Sequence, residues 1–125
     1  MVMNKTRAAL RHFDGLTVVE LGGDINSAAE EELTKAYEGA AAADASTILL
    51  DFEEVGYINS TGIALIVGLM ARARKEGRKM GASGLSDHYR EIFEITRLAD
   101  FMDLYPDKNT AIEQAGGGDE GGSDA

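Results

Sequence analysis

The hydroxyl residues most able to carry chemistry stand at the start of the most apolar segment, in the stretch "NSTGIALIVG". A hydroxyl at a helix N-terminus, such as that of Ser60 or Thr61, can accept a backbone N–H bond and stabilise the helix by about 1 kcal/mol. It can also accept a phosphate, which free N–H groups and the positive end of the helix dipole would stabilise. A cap needs only one hydroxyl, so the pattern predicts one cap and one candidate phosphate acceptor.

Other catalytic and metal-binding patterns are missing from the sequence. There is no cysteine, which excludes disulfides and thiolate chemistry. His12 and His88 lack the spacing of a metal-binding pair, so we expect no metal site. Ser60 lacks the Gly-x-Ser-x-Gly context of a hydrolase, and no glycine pattern predicts nucleotide binding. We therefore expect no cofactor and no enzymatic activity.

Length and charge narrow the classes of partner. The 125 residues suit one domain, which we place at residues 1–115, followed by a flexible acidic Gly-rich tail at residues 116–125. The net charge of −10 would repel nucleic acid and an anionic membrane surface. The longest apolar run, 63–71, is far shorter than the roughly 20 residues of a spanning helix. Without a recognisable signal peptide, we expect a cytoplasmic protein.

The first half of the chain predicts a hairpin, a helix, a strand and a second helix. Asp14-Gly15 is a strong hairpin signal between two apolar runs. Ser27 can cap the first helix, and the apolar run "STILLDF" is typical of a strand covered on both faces. The stretch "EEVGYIN" then predicts a loop before a helix from about Ser60 to Glu76, which Gly77 ends.

The second half predicts three further elements and a terminal helix. "KMGAS" is a strand candidate, and Ser86 and Asp87 can cap a helix over "DHYREIFEITRLA". "FMDLYP" predicts an edge strand that Pro106 closes, and "DKNTAIEQA" a last helix. Together the elements predict an α/β domain with a mixed sheet of about four to five strands packed against about four helices.

The apolar helix leaves open what covers its second face. Helical spacing places Ile63, Ile66, Val67 and Met70 toward the sheet. The chain's own loops could cover the other face, or a partner protein could. The candidate partner-binding residues are Ala64, Leu65, Gly68, Leu69 and Arg72.

Three segments in order resemble a known family. "LLDFEEVGYINSTGIALIVG" is similar to the central strand, loop and helix of STAS domains, specifically of the bacterial anti-sigma factor antagonists. "LGGDINSAAEEEL" resembles the early segment of that family, and "GLSDHYREIFEITRLADFMDLYPD" its closing helix and last strand. The resemblance covers about residues 16–115.

The resemblance implies a switch controlled by phosphorylation. In such antagonists an anti-sigma factor that is itself a serine kinase phosphorylates the position matched here by Ser60. The unmodified antagonist binds this kinase and frees a sigma factor, and a metal-dependent serine phosphatase resets the modified form. Thr61 and Gly62 would then shape the start of the helix.

Two residues depart from the pattern of the family. Asn59 and Asn26 stand where the family usually has Asp, so each position keeps a hydrogen-bonding side chain and loses a negative charge. The change could slow phosphorylation, or it could favour the phosphorylated state by lowering repulsion. It also leaves room for an alternative, a STAS interaction or scaffold domain that works without phosphorylation in a signalling assembly or a transporter complex.

Overall fold

The secondary structure alternates between strands and helices. The computed structural model describes residues 4–117. In chain order the main elements are β1 (Arg7–Phe13), β2 (Leu16–Ile25), α1 (Glu30–Ala42), β3 (Thr47–Ile58), α2 (Ser60–Lys75), β4 (Lys79–Ser83), α3 (Asp87–Ile95), β5 (Asp103–Tyr105) and α4 (Lys108–Ala111). The prediction of an α/β domain with a mixed sheet is confirmed.

The five strands form one sheet in the order β1-β2-β3-β4-β5. β1 and β2 are antiparallel and form the predicted hairpin, in which Gly15 takes a φ of 76°. Every other neighbouring pair is parallel, and β3 lies in the middle of the sheet, as its continuous apolar run predicts.

β3 is longer than the sequence predicts. The stretch predicted as a loop continues the strand to Ile58, which pairs with Ile25 of β2 after two register shifts. β4 follows β3 only as far as the pair of Asp51 with Ser83. The ends of β2 and β3 therefore project past β4, and α2 starts from this projection.

The main core lies on the face of the sheet that α1, α2 and α3 cover. Phe52 of β3 meets Phe93 of α3 edge to face, with ring centroids 5.9 Å apart. The opposite face carries a smaller cluster of Leu16, Val18 and Leu49, which Ala111 of α4 covers. β3 is thus packed on both faces, and its end is well fixed for the element that follows.

Three helix boundaries differ from the predictions. Asn26, not Ser27, is the cap before α1, and it caps a short 3-10 turn at Ser27–Ala29. α3 ends at Ile95, because Arg97 takes a left-handed φ of 70°. The terminal helix is the single turn α4, continued by a π-type turn at Ile112–Gly117.

Two further expectations concern the tail and the membrane. Residues 118–125 of the predicted tail lie outside the described residues. Within residues 4–117, the helices are all too short or too polar to cross a lipid bilayer.

Candidate functional site

Asn59 caps α2 at the end of β3. Its side-chain Oδ1 accepts the backbone N–H of Gly62 at 2.8 Å, and its backbone oxygen accepts the N–H of Ile63 at 2.9 Å. The prediction that Ser60 or Thr61 provides this cap is therefore wrong. The neighbouring asparagine takes the role because it is the last extended residue before the helix.

Ser60 and Thr61 are the first two residues of α2, and both are exposed. The first turn of α2 contains no acidic residue. Since Asn59 supplies the cap, neither hydroxyl is needed for it, and both stand at the positive end of the helix dipole. The site can accept negative charge without losing a helix-stabilising contact.

The structure brings Asn26 and Asn59 to neighbouring strand ends. Ile25 and Ile58 pair in register, and the N–H of Asn59 donates to the backbone oxygen of Ile25 at 3.2 Å. Asn26 in turn accepts the N–H of Ala28 through Oδ1 at 2.9 Å. The two asparagines thus do the same work, each capping the helical turn that follows its strand.

Gly62 allows α2 to start against the end of β2. A Cβ atom at this position would collide with the backbone oxygen of Ile25 and lie 3.0 Å from Cγ2 of Ile58. At Gly68, two turns along the same helix, a Cβ would meet nothing within 4 Å. The glycine after the hydroxyl pair is therefore required by the close approach of two backbones.

The exposed flank of α2 differs from the predicted one at two positions. Leu69 is only 9% exposed and belongs to the core, whereas Val67 is 38% exposed. The predicted outward orientation of Leu69 and the inward one of Val67 are both wrong. Ala64 and Gly68 are exposed, as predicted. Val67 and its small neighbours therefore form the open surface, which we call the α2 flank (Ala64, Val67, Gly68 and Ala71).

Leu65 and Arg72, two other predicted contact residues, are engaged within the chain. Leu65 is half-buried against the main core. The guanidinium of Arg72 lies 4.4 Å from the ring centroid of Tyr37, and its Nε is 3.2 Å from Oε2 of Glu76. The hydrogen bond from Tyr37, and then that from Arg72, lowers the pKa of Glu76. Arg72 thus anchors the far end of the helix, about 18 Å from Ser60 at 1.5 Å per residue.

Two tyrosines near the site were missed in the sequence. Tyr57 lies three residues before Ser60 and is 55% exposed, and exposed tyrosine is enriched at protein interfaces. The tyrosine side chain alone could have marked Tyr57 as a candidate contact residue. The hydroxyl of Tyr89, in α3, accepts the backbone N–H of Ile58 at 2.9 Å. No local pattern predicts that contact, because 31 residues separate the two.

The histidines do not join the serine site. Nδ1 of His12 lies 2.9 Å from Oγ1 of Thr17, and the ring of His88 meets that of Tyr89 at 4.9 Å. Within residues 4–117 no hydrogen bond joins Ser60 to either histidine. No group of three or more metal-binding side chains occurs in that same range. Within the described residues, Ser60 is an exposed hydroxyl to which neither histidine is hydrogen-bonded.

A buried acid lies away from this site. Asp51 of β3 accepts a hydrogen bond from the hydroxyl of Ser83 at 2.8 Å, and burial raises the pKa of its carboxyl group. It lies on the same face of the sheet as Glu20, whose carboxylate is 2.6 Å from Nζ of Lys108. The Glu20–Lys108 ion pair thus ties α4 to β2, and the Asp51–Ser83 hydrogen bond joins β3 to β4.

Known proteins match both the sequence and the fold. A family model described as "STAS domain" matches residues 7–111. An anti-sigma-B factor antagonist of Listeria monocytogenes is 29% identical over 96 residues, which are 77% of this chain and 82% of the relative. An anti-sigma factor antagonist from Mycobacterium paratuberculosis shares the fold with a TM-score of 0.73 at 21% identity, over 86% of this chain and 92% of the other. The Bacillus cell fate determinant SpoIIAA in its phosphorylated form gives a TM-score of 0.68 at 22% identity, over 86% and 98%. The chain belongs to the STAS domain family, as its three segments predicted.

Proposed function

We propose that this protein is an anti-sigma factor antagonist that phosphorylation of Ser60 switches off. Unmodified, it binds an anti-sigma factor serine kinase in the cytoplasm; phosphorylated, it is released, and a serine phosphatase restores it. The observation that carries the proposal is the exposed Ser60 hydroxyl at the start of α2, which the Asn59 cap leaves unused. The protein acts by binding and is not an enzyme.

The helix start suits a phosphate. Phosphorylation adds about −1.5 to −2 charges, and the N-terminus of α2 offers a positive dipole with no acid in the first turn. The dipole stabilises such a charge by at most about 2 kcal/mol. The phosphorylated domain should therefore stay folded, and the change should fall on the surface.

The adjoining surface suits a partner. Val67 lies two turns from Ser60 on the α2 flank, and Tyr57 is exposed on the strand just before it. Helical spacing places Ser60 on the same face of α2 as Ala64 and Val67, so a partner bound to the α2 flank would lie next to Ser60. A new doubly charged group there would have to be desolvated on binding, which costs several kcal/mol unless the partner neutralises it.

The relatives support the same role. The Listeria protein is named as an anti-sigma-B factor antagonist, and SpoIIAA has a phosphorylated form. Asn59 keeps the capping role that Asp would have at this position, because an amide caps α2 as a carboxylate would.

Incubation with an anti-sigma factor serine kinase from the same genome and ATP tests the phosphorylation. Mass spectrometry should show one phosphate, located on Ser60. Ser60→Ala should remove it, and Thr61→Ala is the matched control that should keep it. A phosphate on Thr61 or on a distant residue would overturn the site assignment.

Binding to the same kinase tests the switch and the alternative. Ser60→Asp should weaken binding at least tenfold, and Val67→Asp on the α2 flank should weaken it as well. A scaffold that works without phosphorylation, which Asn59 and Asn26 in place of Asp favour, would lose binding with Val67→Asp but not with Ser60→Asp. Labelling of Ser60 by a phosphonylating probe would instead indicate an enzyme.

A further inference from the structure

The last residue of β3 needs a hydrogen-bond partner outside the sheet. β4 pairs with β3 only as far as Asp51, so residues 52–58 have β2 alone as a strand neighbour. Ile58 is buried, and a buried N–H without a hydrogen-bond acceptor is unfavourable. The hydroxyl of Tyr89 meets this need at 2.9 Å. A side chain of α3 therefore completes the backbone hydrogen bonds of β3.

The backbone just before Ser60 is consequently held from two sides. On one side the N–H of Asn59 donates to the oxygen of Ile25 in β2. On the other the N–H of Ile58 donates to Tyr89 in α3. Ser60 comes directly after these two residues, so its position depends on both contacts.

The Tyr89 hydroxyl is itself held in place by the start of α3. Tyr89 lies in the first turn of that helix, where its N–H donates to Oγ of the cap residue Ser86 at 3.2 Å. Its half-buried ring packs against the main core and meets the ring of His88. A shift of this first turn would move the hydroxyl and, with it, the end of β3.

We propose that Tyr89 is a positioning residue for Ser60 and the joint through which α3 responds to the state of Ser60. The inference rests on the proposed function in that it takes Ser60 as the residue that gains charge. Tyr89 takes no part in the chemistry of phosphate transfer, because it acts through the backbone of Ile58. The surface that changes on modification then includes the first turn of α3 in addition to the α2 flank.

Amide hydrogen exchange of the full chain tests the first half of the proposal. In Tyr89→Phe, the Ile58 amide should exchange about tenfold faster than in the unsubstituted protein, since the variant loses one hydrogen bond. Tyr37→Phe is a matched control, because it loses a hydroxyl bonded to Glu76 at the far end of α2. Tyr37→Phe should leave the exchange rate of the Ile58 amide, relative to the rates of its strand neighbours, unchanged. If the exchange rate of Ile58 relative to its strand neighbours is the same in both variants, the positioning role is overturned.

Chemical shifts test the second half. Ser60→Glu, a charge substitute, should move the amide signals of residues 87–90 in α3. In the Tyr89→Phe background the same substitution should move them by less than half as much. A purely structural Tyr89 would leave these charge-dependent shifts at full size, and that result would overturn the coupling.

Neither measurement uses a kinase, so the two proposals can fail separately. If no kinase modifies Ser60, the proposed function fails, while faster exchange at Ile58 and reduced shifts in α3 still establish the joint. If Ser60 is phosphorylated but Ser60→Glu leaves α3 unmoved, the proposed function stands and the joint is refuted.

Discussion

The two ends of α2 are held in different ways. At the C-terminal end, Tyr37, Arg72 and Arg78 surround Glu76, and Arg78 also donates to the backbone of Ala45. At the N-terminal end, the contacts are an amide cap and the close approach of Gly62 to β2. One end is fixed by charges, and the other by uncharged groups and shape.

This difference explains how one helix can be both firmly attached and switchable. The charged network sits about 18 Å from Ser60, beyond the Debye length of about 8 Å at physiological salt. A phosphate at the N-terminus would therefore leave the anchoring charges unaffected. The N-terminal end can gain a charge because its two described contacts, the Asn59 cap and the close approach of Gly62, involve no charged group.

The largest expected loss of stability comes from adding a side chain at Gly62, where the backbone of Ile25 leaves no room. Gly62→Ala should lower the free energy of unfolding by about 2–3 kcal/mol, because the new methyl group collides with the Ile25 backbone. Gly68→Ala is the matched control in open space and should raise stability by about 0.5–1 kcal/mol through helix propensity. Urea unfolding measures both. If both substitutions changed the free energy of unfolding equally, the close approach of Gly62 to β2 would not contribute to holding this end of α2.

The cap should have the next largest effect. Asn59→Ala should cost about 1 kcal/mol in urea unfolding, because the N–H of Gly62 loses its acceptor. Asn59→Asp should stay within about 0.5 kcal/mol, since a carboxylate caps equally well. A large loss in the Asp variant would mean that the uncharged nature of this end matters for stability.

The charged end should respond to pH. Tyr37→Phe should lower stability at pH 7, because Glu76 loses a hydrogen bond. That bond lowers the pKa of Glu76, so its contribution is present above the ordinary Glu pKa of about 4.3 and is lost as the pH falls through the lowered value. Thermal unfolding from pH 7 to pH 3 should show the two proteins converging. A difference that persists at pH 3 would contradict the charged character of this end.

The smallest effect is expected at Ser60 itself. Ser60→Ala should change stability by less than about 0.5 kcal/mol, because the hydroxyl is exposed and does not cap the helix. If the free energy of unfolding measured in urea fell by about 1 kcal/mol, Ser60 would be the residue that caps α2.

Local chemistry made much of the fold predictable. The Asp14-Gly15 hairpin follows from residues that tolerate positive φ, and the central place of β3 from its unbroken apolar run. Ser86 was identified as a cap because it is followed directly by a helical stripe. These features depend on residues close together in the chain.

The remaining features depend on partners far along the chain. The stretch predicted as a loop is part of β3 because β2 accommodates it with two register shifts. α2 is apolar on almost every side, so spacing alone could not decide that Leu69 is buried and Val67 exposed. In "NST" three consecutive residues are good caps, and the extended backbone of Asn59 selects the first.

The amide cap of α2 has one more consequence. A carboxylate at the cap position would accept hydrogen bonds less well once acid protonates it, whereas the amide side chain of Asn59 does not take up a proton there. The same holds for Asn26 on the neighbouring strand end. The capping contact at the start of α2 should therefore stay independent of pH even below about pH 4, where carboxylates become protonated.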